Sequence, residues 1–296
     1  MQLSQEVHDS GQEVAASNDI TLPDTLNTCL GRFVGWPFKE VSGRVIDREG
    51  NGSETFASVV YATPEGTAPQ NAQAIPADSV AAVIDGYASL NLEGFRAAYQ
   101  RIVQVKRLRK RAAPTTPGVP STTVTLGIIF ALRSALPLEV FAQELECLNS
   151  KTPSREWPDM VVVAAVGTIN YALQFPGDPP SGNFLPPAEG AVANSAPAIY
   201  VVIVMTPAVP YTFNKMAAFL IAHLAIFSPG AQLPDWSQIL VGVPQNAVAV
   251  SGFQYDLKGE LLPVPRRFYN DRYLAPLPMR IEDKKGKLLP DLCTRP

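Results

Sequence analysis

Few residues in this chain have types and spacing that could do chemistry. His8 and His223 are the only histidines in 296 residues, and Cys29, Cys147 and Cys293 stand too far apart for metal-ligand spacing. His8 falls in a polar start, and His223 falls in an apolar run of helical character, where a histidine is usually a hydrogen-bonded core residue. No G-x-S-x-G, H-E-x-x-H, paired C-x-x-C or phosphate-binding glycine loop occurs, which removes most hydrolase, zinc and nucleotide-cofactor chemistries. Gly50-Asn51-Gly52 lacks a third glycine and a following helix, so it reads as a turn. Carboxylates and cations remain. Asp85-Gly86-Tyr87 follows an apolar run, and Lys106, Arg107, Arg109, Lys110 and Arg111 place five cations in six positions. Pro158-Asp159 could open an acid-x-lysine site, but its closing pieces, Asp256-Leu257-Lys258 and Asp283-Lys284-Lys285, lie about a hundred residues away in turn-like surroundings.

Each of these has a plain structural reading beside the functional one. Asp85 is expected to end a buried strand at a glycine turn, or else to be a ligand or polar contact at the sheet edge. The basic run is expected either to complement the negative end of a helix or to meet a phosphate backbone. Arg266-Arg267-Phe268-Tyr269 could extend that patch or form a surface turn. Trp36, Trp157 and Trp236 lie near prolines and are expected to anchor loops to the core.

These groups must be positioned by a globular body. The chain is 46% hydrophobic and 17% charged with a net charge of −3, so much of it is expected inside, and only a local patch would attract nucleic acid. Residues 1–20 read as a flexible lead-in. Leucines and Phe33 at helical spacing predict a helix over 22–34, followed by strands at 40–47 and 55–62 around a glycine-rich turn. A short strand is predicted at 80–84, and an amphipathic helix over 91–108 begins at the N-cap Asn91. Beyond a Pro/Thr-rich linker at 113–121, strands are predicted at 122–132, 160–166, 168–175, 198–205 and 247–255, with helices at 137–149 and 211–227. Six prolines and three glycines make 176–197 a loop, and the last forty residues read as a proline-rich arm. The fold class is α/β, a mixed β-sheet flanked by helices. The longest apolar stretch, 196–227, is broken by Pro207, Pro210 and Lys215 into pieces too short to cross a bilayer, and the start lacks signal-peptide regions, so a cytoplasmic protein is expected.

The wording Val41-Ser-Gly-Arg-Val-Ile-Asp47, Glu49-Gly50, Ser53, Val59-Val-Tyr61, Ile75–Ile84 and Leu92–Leu108 resembles an uncharacterised bacterial domain family. That family looks like a divergent branch of the restriction-endonuclease-like, PD-(D/E)xK, nucleases. The resemblance covers the first third of the chain and implies a nuclease-like core over 21–112. The strand-helix rhythm that resumes after the short linker makes 122–296 a continuation expected on the same body. Such nucleases hold Mg²⁺ with an aspartate on one hairpin strand and the Glu of a Glu-x-Lys on the next. Carried over, the aspartate position falls at Ala57, the glutamate at Asp85 and the lysine at Tyr87. Alanine cannot be a ligand, and a phenol cannot replace a cationic lysine.

The resemblance therefore implies a catalytically degenerate nuclease fold that binds nucleic acid or a protein partner, in a defence system or larger assembly. No cofactor is expected, with Asp85 the one candidate ligand and Mg²⁺ the ion if activity survives. The alternatives are an active Mg²⁺-dependent nuclease with a relocated site and a structural subunit of an assembly or homo-oligomer. Nucleic acid would meet Lys106, Arg107, Arg109, Lys110 and Arg111, and no membrane contact is expected.

Overall fold

The computed structural model describes residues 2–18, 20–63, 74–111, 124–174, 199–207, 210–243 and 248–255. The 113–121 linker, the 176–197 loop, the C-terminal arm with Arg266-Arg267, and both acid-x-lysine pieces lie outside them. Helices α1 (Gln2–Ala15) and α2 (Leu22–Gly31) precede the hairpin of β1 (Phe38–Ile46) and β2 (Gly52–Ala62). Then come β3 (Ala74–Pro76), β4 (Val80–Leu90), α3 (Leu92–Arg107), β5 (Leu126–Ser134), α4 (Leu138–Asn149) and β6 (Met160–Val163). The last are β7 (Gly167–Gln174), β8 (Ile199–Pro207), α5 (Thr212–Phe227), α6 (Trp236–Ile239) and β9 (Val248–Tyr255).

Among the described residues, all nine strands form one sheet in the order β3-β1-β2-β4-β5-β6-β7-β8-β9. β4, β5 and β6 run parallel, as do β1 and β3, and the other neighbours are antiparallel. This is the mixed, helix-flanked sheet expected from the alternating pattern. The central strands are apolar on both sides because helices cover both faces. On one face α3 and α4 bury Phe95, Tyr99, Ile102 and Phe141 against Val59, Val83 and Ile129. On the other, α1, α2 and α5 bury Val7, Leu26, Met216 and Leu220 against Val60, Ile84 and Ile128.

The lead-in expectation is corrected. Residues 2–15 form a helix with Val7 and Val14 buried, and Asn214 donates to the Ser4 carbonyl at 2.8 Å. The apolar stripe is too sparse to register as periodicity because small residues make the interface. A Cβ on Gly11 would lie 2.8 Å from the Phe213 Cβ. The tryptophans divide: Trp157 is buried, whereas Trp36 and Trp236 are 53% and 47% exposed, against the anchoring role expected of them.

The glycine turn works as read. Gly50 has φ +84°, and Asp47 accepts from the Glu49 and Asn51 amides at 2.9 Å. Beyond the turn, Val41 pairs with Val59 but Gly43 pairs with Phe56, so Ala57 and Ser58 together oppose Ser42. This is a β-bulge, and it breaks the strict in-out alternation of β2. Phe56 and Val59 both pack on the α3 face, while Ala57 packs on the α2 face.

Glu40 of β1 turns toward α2, into room left by the missing side chain of Gly31. Burial outweighs the help of its own backbone and of Lys39, and its pKa rises to about 7. A carboxyl whose folded pKa lies above its unfolded value contributes most stability below the unfolded pKa, and this is lost as pH rises through about 7. Glu40→Gln should therefore match the parent in thermal melts near pH 5 and exceed it by about 1–2 kcal/mol at pH 8.

Candidate functional site

β4 does not end at Asp85. It runs on in parallel with β5, pairing Asp85 with Ile129, Tyr87 with Ala131 and Leu90 with Ser134. Gly86 is a packing requirement and not a turn, since a Cβ there would lie 2.8 Å from the Ala57 Cβ and 3.4 Å from Leu22. That contact also fixes directions. Gly86 and Ala57 face α2, so Asp85 and Tyr87, one residue to either side, face α3.

The comparison of Ala57 with a lost carboxylate thus needs correcting. Ala57 does lie on the strand next to Asp85, but on the opposite face of the sheet. The acid that meets Asp85 is Glu54, also on β2 and missed in the sequence. A second register shift sets Ser53 and Glu54 opposite Val45. The Glu54 carboxylate then reaches the same guanidinium as Asp85, that of Arg101 from α3.

Arg101 Nε donates to Asp85 Oδ2 at 2.9 Å, Nη2 lies 2.8 Å from the same oxygen, and Nη1 donates to Glu54 Oε2 at 3.2 Å. Tyr87 donates its hydroxyl to Asp85 Oδ2 at 3.2 Å, and its oxygen accepts from Arg101 Nη2. The guanidinium carbon lies 5.7 Å from the Tyr87 ring centroid. The Asp85 and Arg101 side chains are 6% and 22% exposed, while that of Glu54 is 65% exposed. Burial raises the Asp85 pKa despite the guanidinium and the phenol hydrogen bond. Burial, then the Asp85 charge, raises that of Tyr87, which stays a neutral donor. Arg101 was legible only as a polar position between Ala98 and Val105 at the edge of the buried stripe of α3.

Do these groups suit the Mg²⁺ that the nuclease resemblance implies? Magnesium takes near-octahedral oxygen ligands and keeps several waters. Here Asp85 Oδ2 already receives Arg101 and Tyr87, and a fixed positive charge bridges the two carboxylates. Among the described residues no group of three histidine, cysteine or carboxylate side chains is placed to hold a metal. The donor set as arranged does not fit the ion, and no chemistry is routed through one.

The basic cluster separates into buried and exposed members. The Lys106 side chain is 3% exposed, and its ammonium donates at 2.6 Å to both Asp159 Oδ2 and the Trp157 carbonyl. Lys110 donates to the Val80 carbonyl at 2.5 Å, with the Phe227 ring centroid 5.5 Å away. Burial lowers the Lys110 pKa to about 7. Both lysines are withdrawn from any surface ligand. Arg107 pairs with Glu156 at 2.8 Å and Arg109 with Glu49, and both arginines remain largely exposed. Arg111 is exposed, with its amide on Asp78 at 2.7 Å. Asp159 is likewise committed, its Oδ2 accepting from the Gly127 amide as well as from Lys106.

The histidines do not join the site. His223 Nε2 lies 3.1 Å from the Ala81 carbonyl, the core role read from its surroundings, and burial lowers its pKa. The His8 ring stacks at a tilt on Tyr211 with centroids 5.1 Å apart. No described helix is long and apolar enough to cross a membrane.

No protein-family model matches this chain, and neither does any curated protein. Solved structures do. NucC from P. aeruginosa ATCC27853 in its cAAA-bound form aligns at TM-score 0.51 and 18% identity, covering 81% of this chain and 97% of that one. NucC from E. coli MS115-1 in its apo form aligns at TM-score 0.46 and 21% identity, over 57% and 77% of the two chains. Its cAAA-bound form gives 0.44 and 18%, over 57% and 75%. The Pseudomonas alignment, which spans most of both chains, shows a shared fold.

Proposed function

We propose that this protein is a nuclease-fold protein that binds a phosphodiester ligand without hydrolysing it. The observation that carries the reading is Tyr87. It stands where the resemblance places the lysine, on the strand and face of the carboxylates, and is a neutral phenol tied to Asp85. A phenol held neutral cannot supply the positive charge that a lysine brings to a scissile phosphate. The ligand is nucleic acid, or a molecule like the cAAA bound in the Pseudomonas NucC structure, and the setting is a defence system or larger assembly with a protein partner. Of the basic cluster, Arg109 and Arg111 support the reading, because an exposed ion pair is weak enough to exchange a carboxylate for a phosphate.

A second reading, an active metal-dependent nuclease, is favoured by the surviving pair of carboxylates, Glu54 and Asp85 on adjacent strands. One experiment separates the two. Supercoiled plasmid and short single strands are incubated with the protein, with Asp85→Ala and with Glu54→Gln, in Mg²⁺ or Mn²⁺. We expect no cleavage by any of them. A gel shift should weaken with salt, and more steeply for the parent than for Arg109→Gln/Arg111→Gln, whose salt slope should fall by about one for each phosphate it no longer neutralises. Melting with cAAA covers the small-ligand case. Cleavage abolished by Asp85→Ala would install the second reading, and loss of both the shift and the cAAA response would remove the first.

A further inference from the structure

We infer that Arg101 is the resident cation of the Glu54–Asp85 site, a side chain standing in for a divalent ion, so that the two carboxylates take up a divalent cation only when the guanidinium is withdrawn. The inference rests on the placement of the site given above and concerns its regulation.

The geometry supports it from three sides. First, the guanidinium bridges the carboxylates, bonding Asp85 through Nε and Glu54 through Nη1, so one charge holds two acids from adjacent strands. Second, the cation arrives from outside the sheet. Neighbours Ala98, Ile102 and Val105 of α3 are buried, which anchors the stem of Arg101 to the core while its head reaches across β4 to β2. Third, Arg101 is the cation that acts on Asp85 among the described residues. Tyr87 contributes only a hydrogen bond, Glu54 only repulsion, and Lys106 is committed to Asp159. Asp85, Glu54 and Arg101 together carry one net negative charge. Replacing the guanidinium by a divalent ion would bring the site to neutrality with the same two acids. The arrangement resembles a cation site with its cation covalently tethered, and a tethered cation needs no dehydration from bulk water to bind.

The test uses Mn²⁺ as the probe, read by calorimetry and thermal melting on the full chain, with no dependence on activity. The parent protein should show no saturable Mn²⁺ response. Arg101→Gln should gain one saturable site at least about tenfold tighter than any in the parent, with a melting temperature that rises with Mn²⁺. Asp85→Asn/Arg101→Gln should lose that site. Arg101→Lys keeps the charge and most of the packing but not the two-acid fork, so it should respond between parent and Arg101→Gln. It also decides the question if Arg101→Gln does not fold. A parent that binds Mn²⁺ as tightly as the Arg101 variants overturns the inference. So does an Arg101→Lys protein, or a folded Arg101→Gln protein, that binds no better than the parent. The proposed function fails through a different result, cleavage by the parent protein, so the two failures are distinguishable.

Discussion

Arg101→Met is expected to lower the unfolding free energy by about 3–5 kcal/mol, because it strands a buried carboxylate. Asp85 is 4% exposed, and the guanidinium is the only positive charge acting on it among the described residues. Removing one partner of a buried pair leaves the other with its full desolvation cost, whereas removing both leaves neither. Arg101→Met/Asp85→Leu should therefore recover most of the loss. Urea denaturation checks this directly. The single variant should move the midpoint with little change of slope, and the double should move it back. In a chain of this size the single variant should melt roughly 10 °C lower, at about 2–4 °C per kcal/mol. If the single variant loses less than about 1 kcal/mol, Asp85 is protonated in the fold and its ion pair with Arg101 is not the force holding α3 to β4 at this point.

Asp159→Ala should be as damaging, again by about 3–5 kcal/mol, for a reason that bears on the basic cluster. The Lys106 ammonium, on a side chain only 3% exposed, would keep the Trp157 carbonyl but lose its carboxylate. The Gly127 amide would lose its acceptor at 2.6 Å in the same substitution. Packing leaves no room to adjust, because the Ile102 and Lys106 side chains press directly on Gly127. By contrast, Arg109→Gln removes an exposed pair and should stay within about 0.5 kcal/mol of the parent. Chemical denaturation of the two variants side by side measures the difference. Equal losses would mean that Lys106 finds another partner or reaches solvent, and the division of the cluster into buried and exposed members would fall.

Much of this was legible locally. Asn91 caps α3 through Gly94 as its residue type predicts, the Asp47–Asn51 turn closes around Gly50, and Phe95, Tyr99 and Ile102 bury the stripe that periodicity marks. The errors share one cause: local patterns read without their partners. A glycine after an apolar run suggests a turn, yet Gly86 continues β4 because α2 and Ala57 fill the space a side chain would need. A dense basic run suggests a surface patch, yet two of its members cross the end of the sheet to bind Asp159 and the Val80 carbonyl.

The sequence by itself determined most of the elements from α2 onward, their order and the α/β class, because helix and strand periods, caps and turns are set by neighbours a few residues apart. It missed α1, β3, α6 and the far half of β4. That Asp85 and Tyr87 share a face came only from the structure, since they lie two apart on a strand that runs past the expected glycine turn. Only the tertiary structure decided which acid meets Asp85. Strict alternation points to Ala57, but the bulge at Ala57–Ser58 shifts the count by one residue and sends Ala57 to the far face. Glu54 takes that place through Arg101, 47 residues further along the chain and 16 beyond Asp85. Bulges and ion pairs of that span depend on how sheet and helix pack, which residue spacing does not encode.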